Sequence, residues 1–232
     1  MTLMAQNIQT NPFNVKLNFK NQAPNFYKKN KLTNIYFFTI LSLKSERKTM
    51  IIDSTTYRSA DYRSRKRKSV IDMIVLRTTK TNSLEETARC FITKKEKTIS
   101  VHYVIDRDGK IYQFIPEDRA AYHTDKSSWR LVTGEEVTNI NSRSIGIEFQ
   151  RGSGQTFTPE QIRSGLELTQ SIKNRYNIDP HNVVAHSDIT SSRKSDPGND
   201  FPWELWVKNG LDSNISQRGK MVDFPALLAL PD

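Results

Sequence analysis

The chain has 232 residues, with 35 Lys and Arg against 25 Asp and Glu and a formal charge of +10. That length allows one sizeable domain with tails; the 36% hydrophobic content is ordinary for a globular chain, and no apolar run approaches the ~18 residues of a membrane span. A single cysteine excludes a disulfide scaffold and a thiolate zinc cage. The excess positive charge, which first suggests nucleic acid or another polyanion, is then the feature to place.

It is not spread evenly. Residues 1–49 hold eight basic residues, from Lys16 to Lys48, against the single acid Glu46. Residues 50–68 add six more bases, five of them in Arg63, Arg65, Lys66, Arg67 and Lys68, against Asp53 and Asp61. Residues 69–232 carry a net −1. The basicity therefore belongs to the N-terminal third, and no nucleic-acid partner is expected from it.

Residues 1–49 read as a basic, disordered N-terminal extension, rich in Asn, Lys and Phe. Two other readings stay open. Ile35–Leu43 after Lys28, Lys29 and Lys31 has the make-up of an export or anchor segment, although no small-residue cleavage site follows. Met50 is also a plausible alternative start. The Arg63–Lys68 run reads as a solvated loop before the first strand.

From residue 70 the pattern sharpens. Val70–Leu76 is a nearly continuous apolar run, the signature of a strand buried on both faces. Ser83 and Glu86 are spaced as a capping box, opening a helix with Leu84, Ala88 and Phe91 on one face. Ser100–Ile105 and Lys110–Ile115 are strands joined by the turn Asp106-Arg107-Asp108-Gly109. Ser144–Gln150 alternates, placing Ile145, Ile147 and Phe149 on one face and Gly146 and Glu148 on the other. Thr158, Pro159 and Gln161 begin a helix whose stripe runs Ile162, Leu166, Thr169, Ile172 and Tyr176. Asn182–Ala185 makes a short strand ending at His186, and Pro202–Val207 a last helical turn or two. The order predicts an α/β fold with a single mixed β-sheet flanked by helices. The domain is expected over 50–210, with 211–232 as a C-terminal tail.

Chemistry has few places to sit. There is no GxGxxG, GxxxxGK[ST], HExxH or GxSxG. Cys90, inside an amphipathic helix, reads as structural. Glu148 projects from its strand beside Gly146, facing either solvent or a cleft. After His186 a polar loop turns back through Lys194 and Asp196 to Pro197-Gly198. Such a loop can aim an imidazole, an ammonium and a carboxylate at one point, although a merely capped loop uses the same residue types.

Residues from about 52 to 209 resemble the zinc-dependent N-acetylmuramoyl-L-alanine amidases related to peptidoglycan recognition proteins. The resemblance rests on Ile74-Val75-Leu76, Ser100 to Ile105, Asp108 to Gln113, Ser127-Ser128-Trp129-Arg130, Asn141 to Glu148, His186-Ser187-Asp188, Arg193 to Gly198 and Phe201-Pro202-Trp203. It implies a mixed sheet flanked by helices and a hydrolase acting on the lactyl amide of peptidoglycan or muropeptide fragments. It implies zinc as cofactor, with His186 and Asp196 as metal ligands, Glu148 as general base and Lys194 supporting the oxyanion. A bacterial protein of the periplasm or cell envelope, acting as a monomer with no transmembrane segment, is the matching expectation.

One ligand departs from that pattern. Where the family's first strand ends in a histidine, this chain reads Leu76-Arg77-Thr78-Thr79. Arginine offers no lone pair to a metal. A divalent ion ~4 Å from such a charge costs about 8 kcal/mol at an effective dielectric of ~20. The family's Ala-Trp-His-Ala-Gly is also altered, to Ala121-Tyr122-His123-Thr124-Asp125. Three functions follow as hypotheses. They are an amidase tolerating Arg77, a member that binds muropeptides or a protein partner with zinc binding weakened or lost, and a polyanion binder using the basic N-terminus. His102 and His123 substitute as ligands only if the site rearranges, and His181 reads as a surface residue.

Overall fold

Strand Met73–Thr78 is the centre from which the rest is positioned, with parallel neighbours on both sides. The computed structural model describes residues 50–65, 69–93, 98–190 and 193–214. The extension over 1–49, most of the 211–232 tail and Lys66–Lys68 lie outside them. In chain order the elements are β1 (Ile52–Asp53), β2 (Tyr62–Ser64), β3 (Met73–Thr78), α1 (Leu84–Ile92), β4 (Tyr103–Ile105), β5 (Ile111–Gln113) and β6 (Arg119–Ala121). There follow β7 (Trp129–Arg130), β8 (Glu136–Val137), α2 (Ile140–Arg143), β9 (Ser144–Phe149) and α3 (Pro159–Tyr176). A 3-10 turn (Pro180–Asn182), β10 (Val183–Ala185), α4 (His186–Ile189) and α5 (Trp203–Lys208) complete the order.

The main sheet has six strands in the order β1-β5-β4-β9-β3-β10, parallel except for the β4–β5 hairpin. This is the mixed sheet that the sequence predicts. The first long strand is shifted, however. Val70 is exposed, and pairing begins at Met73 and runs on through Arg77↔Glu148 and Thr78↔Phe149. Pairing with β9 holds the chain extended past its apolar run, so two polar residues are carried into the sheet.

Alternation then sorts the core. Ile74, Leu76, Ile145, Ile147 and Phe149 face α3 and α5, where Ile162, Leu166, Ile172 and Trp206 bury against them. The opposite face is covered in two parts. Met73, Val75 and Val184 pack against Trp129, Leu131, Val137 and Ile140, while Val104 packs against Leu84, Ala88 and Phe91 of α1. Arg77 and Glu148 are on this second side, between the two clusters in strand order.

Local chemistry fixes the helix ends. Thr158 Oγ1 accepts from Gln161 N, and the Gln161 side chain returns a bond to Thr158 N, as the capping-box spacing predicts. Gln161 does more than cap, since its Nε2 also donates to the carbonyls of Gln150 (2.7 Å) and Ile105 (3.2 Å). It ties the start of α3 to the ends of β9 and β4. At α1, Ser83 Oγ accepts from Glu86 N, but the Glu86 carboxylate accepts from Asn82 N instead of Ser83 N. Gly109, at φ +82°, closes the β4–β5 turn, and a Cβ there would meet the Glu160 carbonyl at 2.9 Å.

Arg63 and Arg65, the described bases of the basic run, are not simply solvated. Arg65 donates to the carbonyls of Glu117 (2.9 Å), Ser142 (2.8 Å) and Ser144 (3.0 Å), and Arg63 reaches Asn139 and Ser142. Both guanidiniums satisfy backbone or side-chain acceptors around α2, which a run of exposed charges does not disclose. Packing also continues past residue 210, with Leu211, Asp212 and Asn214 buried. Asn214 Nδ2 donates to the His181 carbonyl at 3.0 Å.

Candidate active site

Three strands deliver one row of polar side chains. Register places Glu148 of β9 beside Arg77 of β3. Ala185 of β10 pairs with Leu76, so His186, the next residue, comes level with Arg77. Asp196 arrives from the loop, where its carbonyl accepts from Ser187 N at 3.0 Å and brings the carboxylate against His186.

The contacts centre on Arg77. Its Nη1 lies 3.4 Å from Glu148 Oε2, and its Nε lies 3.7 Å from Asp196 Oδ2 and 3.2 Å from His186 Nδ1. His186 Nδ1 is also 3.0 Å and 3.2 Å from the two Asp196 oxygens. That nitrogen serves one neighbour at a time: protonated it donates to Asp196, and deprotonated it accepts from Arg77. The sequence left Glu148 open to solvent or a cleft, but it is 2% exposed. On the same face of β9, the imidazole of His123 lies over Gly146, where a Cβ would meet Nδ1 at 2.6 Å.

His102 and His123 line the floor as neutral rings. His102 Nδ1 accepts from Gly146 N at 3.0 Å, so its proton is on Nε2, which donates to the Arg119 carbonyl. Ser144 Oγ donates to the Ile140 carbonyl and therefore accepts from His123 Nε2. Asn141 holds this layer in place, its Oδ1 accepting from the backbone N–H groups of His123 and Thr124. Lys194 sits at the rim with Nζ 4.0 Å from Asp125 Oδ2. His181 uses its ring on the Arg130 carbonyl and stacks near Trp129, away from this group.

Burial sets the electrostatics. Desolvation pushes the Glu148 carboxyl up to about 7 against the pull of Arg77, with Asp196 raising it further and Lys194 lowering it. Burial, as the largest influence, also pushes Asp196 upward, yet hydrogen bonding and charge from His186, with the Arg77 charge, hold it below the usual carboxylate range. His186 is lowered by burial, an effect partly offset by Asp196. His102 is lowered to about 3 by burial, and His123 falls well below its ordinary value for the same reason. Of the buried side-chain atoms without a hydrogen-bond partner among the described residues, four belong here: Arg77 Nη1, Glu148 Oε2, His123 Nδ1 and His186 Nε2. Such a concentration marks a functional site rather than a stability element.

The model of one protein family, described as N-acetylmuramoyl-L-alanine amidase, matches residues 66–199. The chain belongs to the N-acetylmuramoyl-L-alanine amidase family. It is 37% identical to the amidase AmiD of Escherichia coli over 135 residues, which are 51% of this chain and 47% of that protein. The chain thus spans about half the length of the curated relatives it matches. AmiD solved with anhydro-N-acetylmuramic acid-L-Ala-D-gamma-Glu-L-Lys superposes with a TM-score of 0.54 at 31% identity, covering 64% of this chain and 62% of that one. A selenomethionine AmpD structure superposes with a TM-score of 0.58 at 26% identity, covering 69% of this chain and 99% of that one. Among the described residues no helix is long and apolar enough to cross a membrane.

Members of this family are typically zinc-dependent, and a zinc ion here would need three donors converging on one point. His186 and Asp196 stand together, but the third position in the row is Arg77, with Nε against the same His186 nitrogen that faces Asp196. Among the described residues no three His, Cys, Asp or Glu side chains are grouped to hold a metal ion. The residues present do not fit zinc. His102 is engaged at both ring nitrogens, and His123 gives Nε2 to Ser144 with its Nδ1 lying over Gly146, so neither joins His186 and Asp196 as a third donor.

Proposed function

We propose that this chain hydrolyses the amide joining the lactyl group of N-acetylmuramic acid to L-alanine, in peptidoglycan or its muropeptide fragments. The observation that carries this reading is Glu148, a buried carboxyl raised to about 7, beside the Arg77 guanidinium. As a carboxylate Glu148 takes a proton from water while the oxygen adds to the lactyl carbonyl carbon. The protonated acid then returns that proton to the alanine nitrogen as the C–N bond breaks. Lys194 at the rim supplies a positive charge for the oxyanion. Family membership supports the bond class, and the substrate present in the AmiD complex supports muropeptides as the ligand class. The setting that goes with this substrate is the bacterial periplasm or cell envelope.

A second reading, recognition of muropeptides without cleavage, is favoured by the 3.4 Å approach of Arg77 to Glu148. There the guanidinium occupies the base instead of assisting it. Incubation with anhydro-N-acetylmuramoyl-L-Ala-D-γ-Glu-L-Lys, with tripeptide release followed by mass spectrometry, separates the two. Release that falls about 100-fold or more in Glu148→Gln supports hydrolysis. Saturable binding with no release supports recognition, and neither binding nor release removes both.

A further inference from the structure

The arrangement around Arg77 carries a conclusion that rests on the muropeptide reading above and deepens it. We propose that the Arg77 guanidinium takes the place of the metal as the fixed cation of this site, so that the site is assembled without zinc.

Three observations converge on this. First, register places Arg77 beside Glu148, and His186, which follows the last paired residue of β10, meets it from the other side through the 3.2 Å Nε–Nδ1 contact. It is therefore on the part of the backbone from which a ligand side chain would reach both neighbours. Second, one guanidinium reaches both candidate metal ligands, at 3.7 Å to Asp196 and 3.2 Å to His186, and lies 3.4 Å from the Glu148 carboxyl as well. Its Nε points at His186 Nδ1, and with that nitrogen deprotonated it takes the lone pair that a metal ion needs. Third, the side chain is 11% exposed, and the partner it would abandon by swinging outward, Glu148, is 3% exposed. Leaving that carboxylate buried without its cation is the costly alternative.

The rim is balanced in the same way. Lys194 faces Asp125 at 4.0 Å, and Asp125 stands where the family pattern has glycine. Arg77 brings a cation into the site and Asp125 an anion to the rim, and each of these two charged departures from the pattern has a charged partner. Arg77 is a positioning residue in this scheme, holding His186 and the two carboxylates in the geometry that the ligand meets.

The test is zinc uptake, read without any substrate. The full chain is stripped with chelator, equilibrated with zinc alone and dialysed, and metal per chain is measured by mass spectrometry. Arg77→His, the double variant Arg77→His with Asp196→Asn, and His186→Ala are treated identically. The expected result is that the native chain retains no more zinc than His186→Ala. Arg77→His should retain one equivalent, lost again in the double variant. Zinc retained by the native chain and lost in His186→Ala overturns the proposal. So does a folded Arg77→His that retains none, because Arg77 would then not stand at a ligand's position. Should Arg77→His not fold, thermal melting of the native chain with zinc and with chelator decides. Coincident melts support the proposal, and a zinc-dependent rise abolished in His186→Ala overturns it. Muropeptide binding measured in chelator keeps the two levels apart. A chain that binds muropeptide but also binds zinc at His186 sinks only this inference, whereas one that binds neither sinks the functional reading.

Discussion

Replacing Glu148 by Gln isolates the largest electrostatic feature of the site. The residue is 2% exposed and its carboxyl titrates at about 7 because burial disfavours the charged form. In the unfolded chain the same carboxyl titrates near 4.5. The folded protein therefore holds the extra proton between those values. Stability from this group is complete below about pH 4.5 and is lost as pH rises through 7. At about 1.4 kcal/mol per pH unit, the loss is about 3 kcal/mol. A glutamine in its place has the shape of the protonated acid and no proton to lose. The variant should thus match the parent near pH 4.5 and exceed it by about 3 kcal/mol at pH 8. Urea unfolding followed by fluorescence of the buried Trp129, Trp203 and Trp206 measures the difference at each pH. Arg77 lowers the Glu148 value, so Arg77→Gln should move the step to higher pH. A difference between Glu148→Gln and parent that stays constant from pH 4.5 to 8 would refute the reasoning.

Two further outcomes follow from groups outside the row. His102 is neutral in the fold, with a value near 3, so its contribution is present above pH 6.5 and is lost as pH falls through the folded value, on the order of 5 kcal/mol in full. His102→Gln, whose amide can accept from Gly146 N and donate to the Arg119 carbonyl, should show a shallower acid-side loss between pH 6.5 and 4 in the same urea series; an unchanged slope would place the acid sensitivity elsewhere. On the opposite face, a Cβ at Gly165 would meet the Phe149 ring at 2.6 Å. Gly165→Ala should destabilise by about 1–3 kcal/mol in overpacking, less up to ~1 kcal/mol of helix propensity, and a melting temperature equal to or above the parent's would refute the close contact.

Much of the scaffold was legible because its signals are local. The alternation of Ile145, Ile147 and Phe149 against Gly146 and Glu148, the Asp106–Gly109 turn and the Thr158–Gln161 box each describe a few neighbouring residues, and each forms as read. The short pairs β2–β6 and β7–β8 were not legible, since Tyr62-Arg63-Ser64, Arg119-Ala120-Ala121, Trp129-Arg130 and Glu136-Val137 carry no apolar run or turn signal of the kind that marks β4, β5 and β10. Arg63 and Arg65 looked like surface charge because their acceptors, around α2, are more than seventy residues away. His186, Asp196, Glu148 and Lys194 could be named from the sequence, but the burial of Glu148 could not. It depends on groups brought from distant parts of the chain, Arg77 of β3 and the loop that carries Lys194 and Asp196.

Arg77 is the clearest instance of that limit. From sequence it is an arginine at the end of an apolar run, and the physical default is for its charge to reach solvent. Two registers decide otherwise. Arg77↔Glu148 puts a carboxylate beside it, and Ala185↔Leu76 brings His186 level with it from the other side. With Asp196 folded back by its bond to Ser187, the guanidinium meets two carboxylates and an imidazole at once. A single surface ion pair contributes little, but a guanidinium shared by buried acceptors cannot be removed without leaving them uncompensated. The same residue that spoils the zinc donor set is therefore the one that holds the remaining site residues together. Its substitution should alter metal uptake, the Glu148 titration and the order of the His186–Asp196 loop in one step.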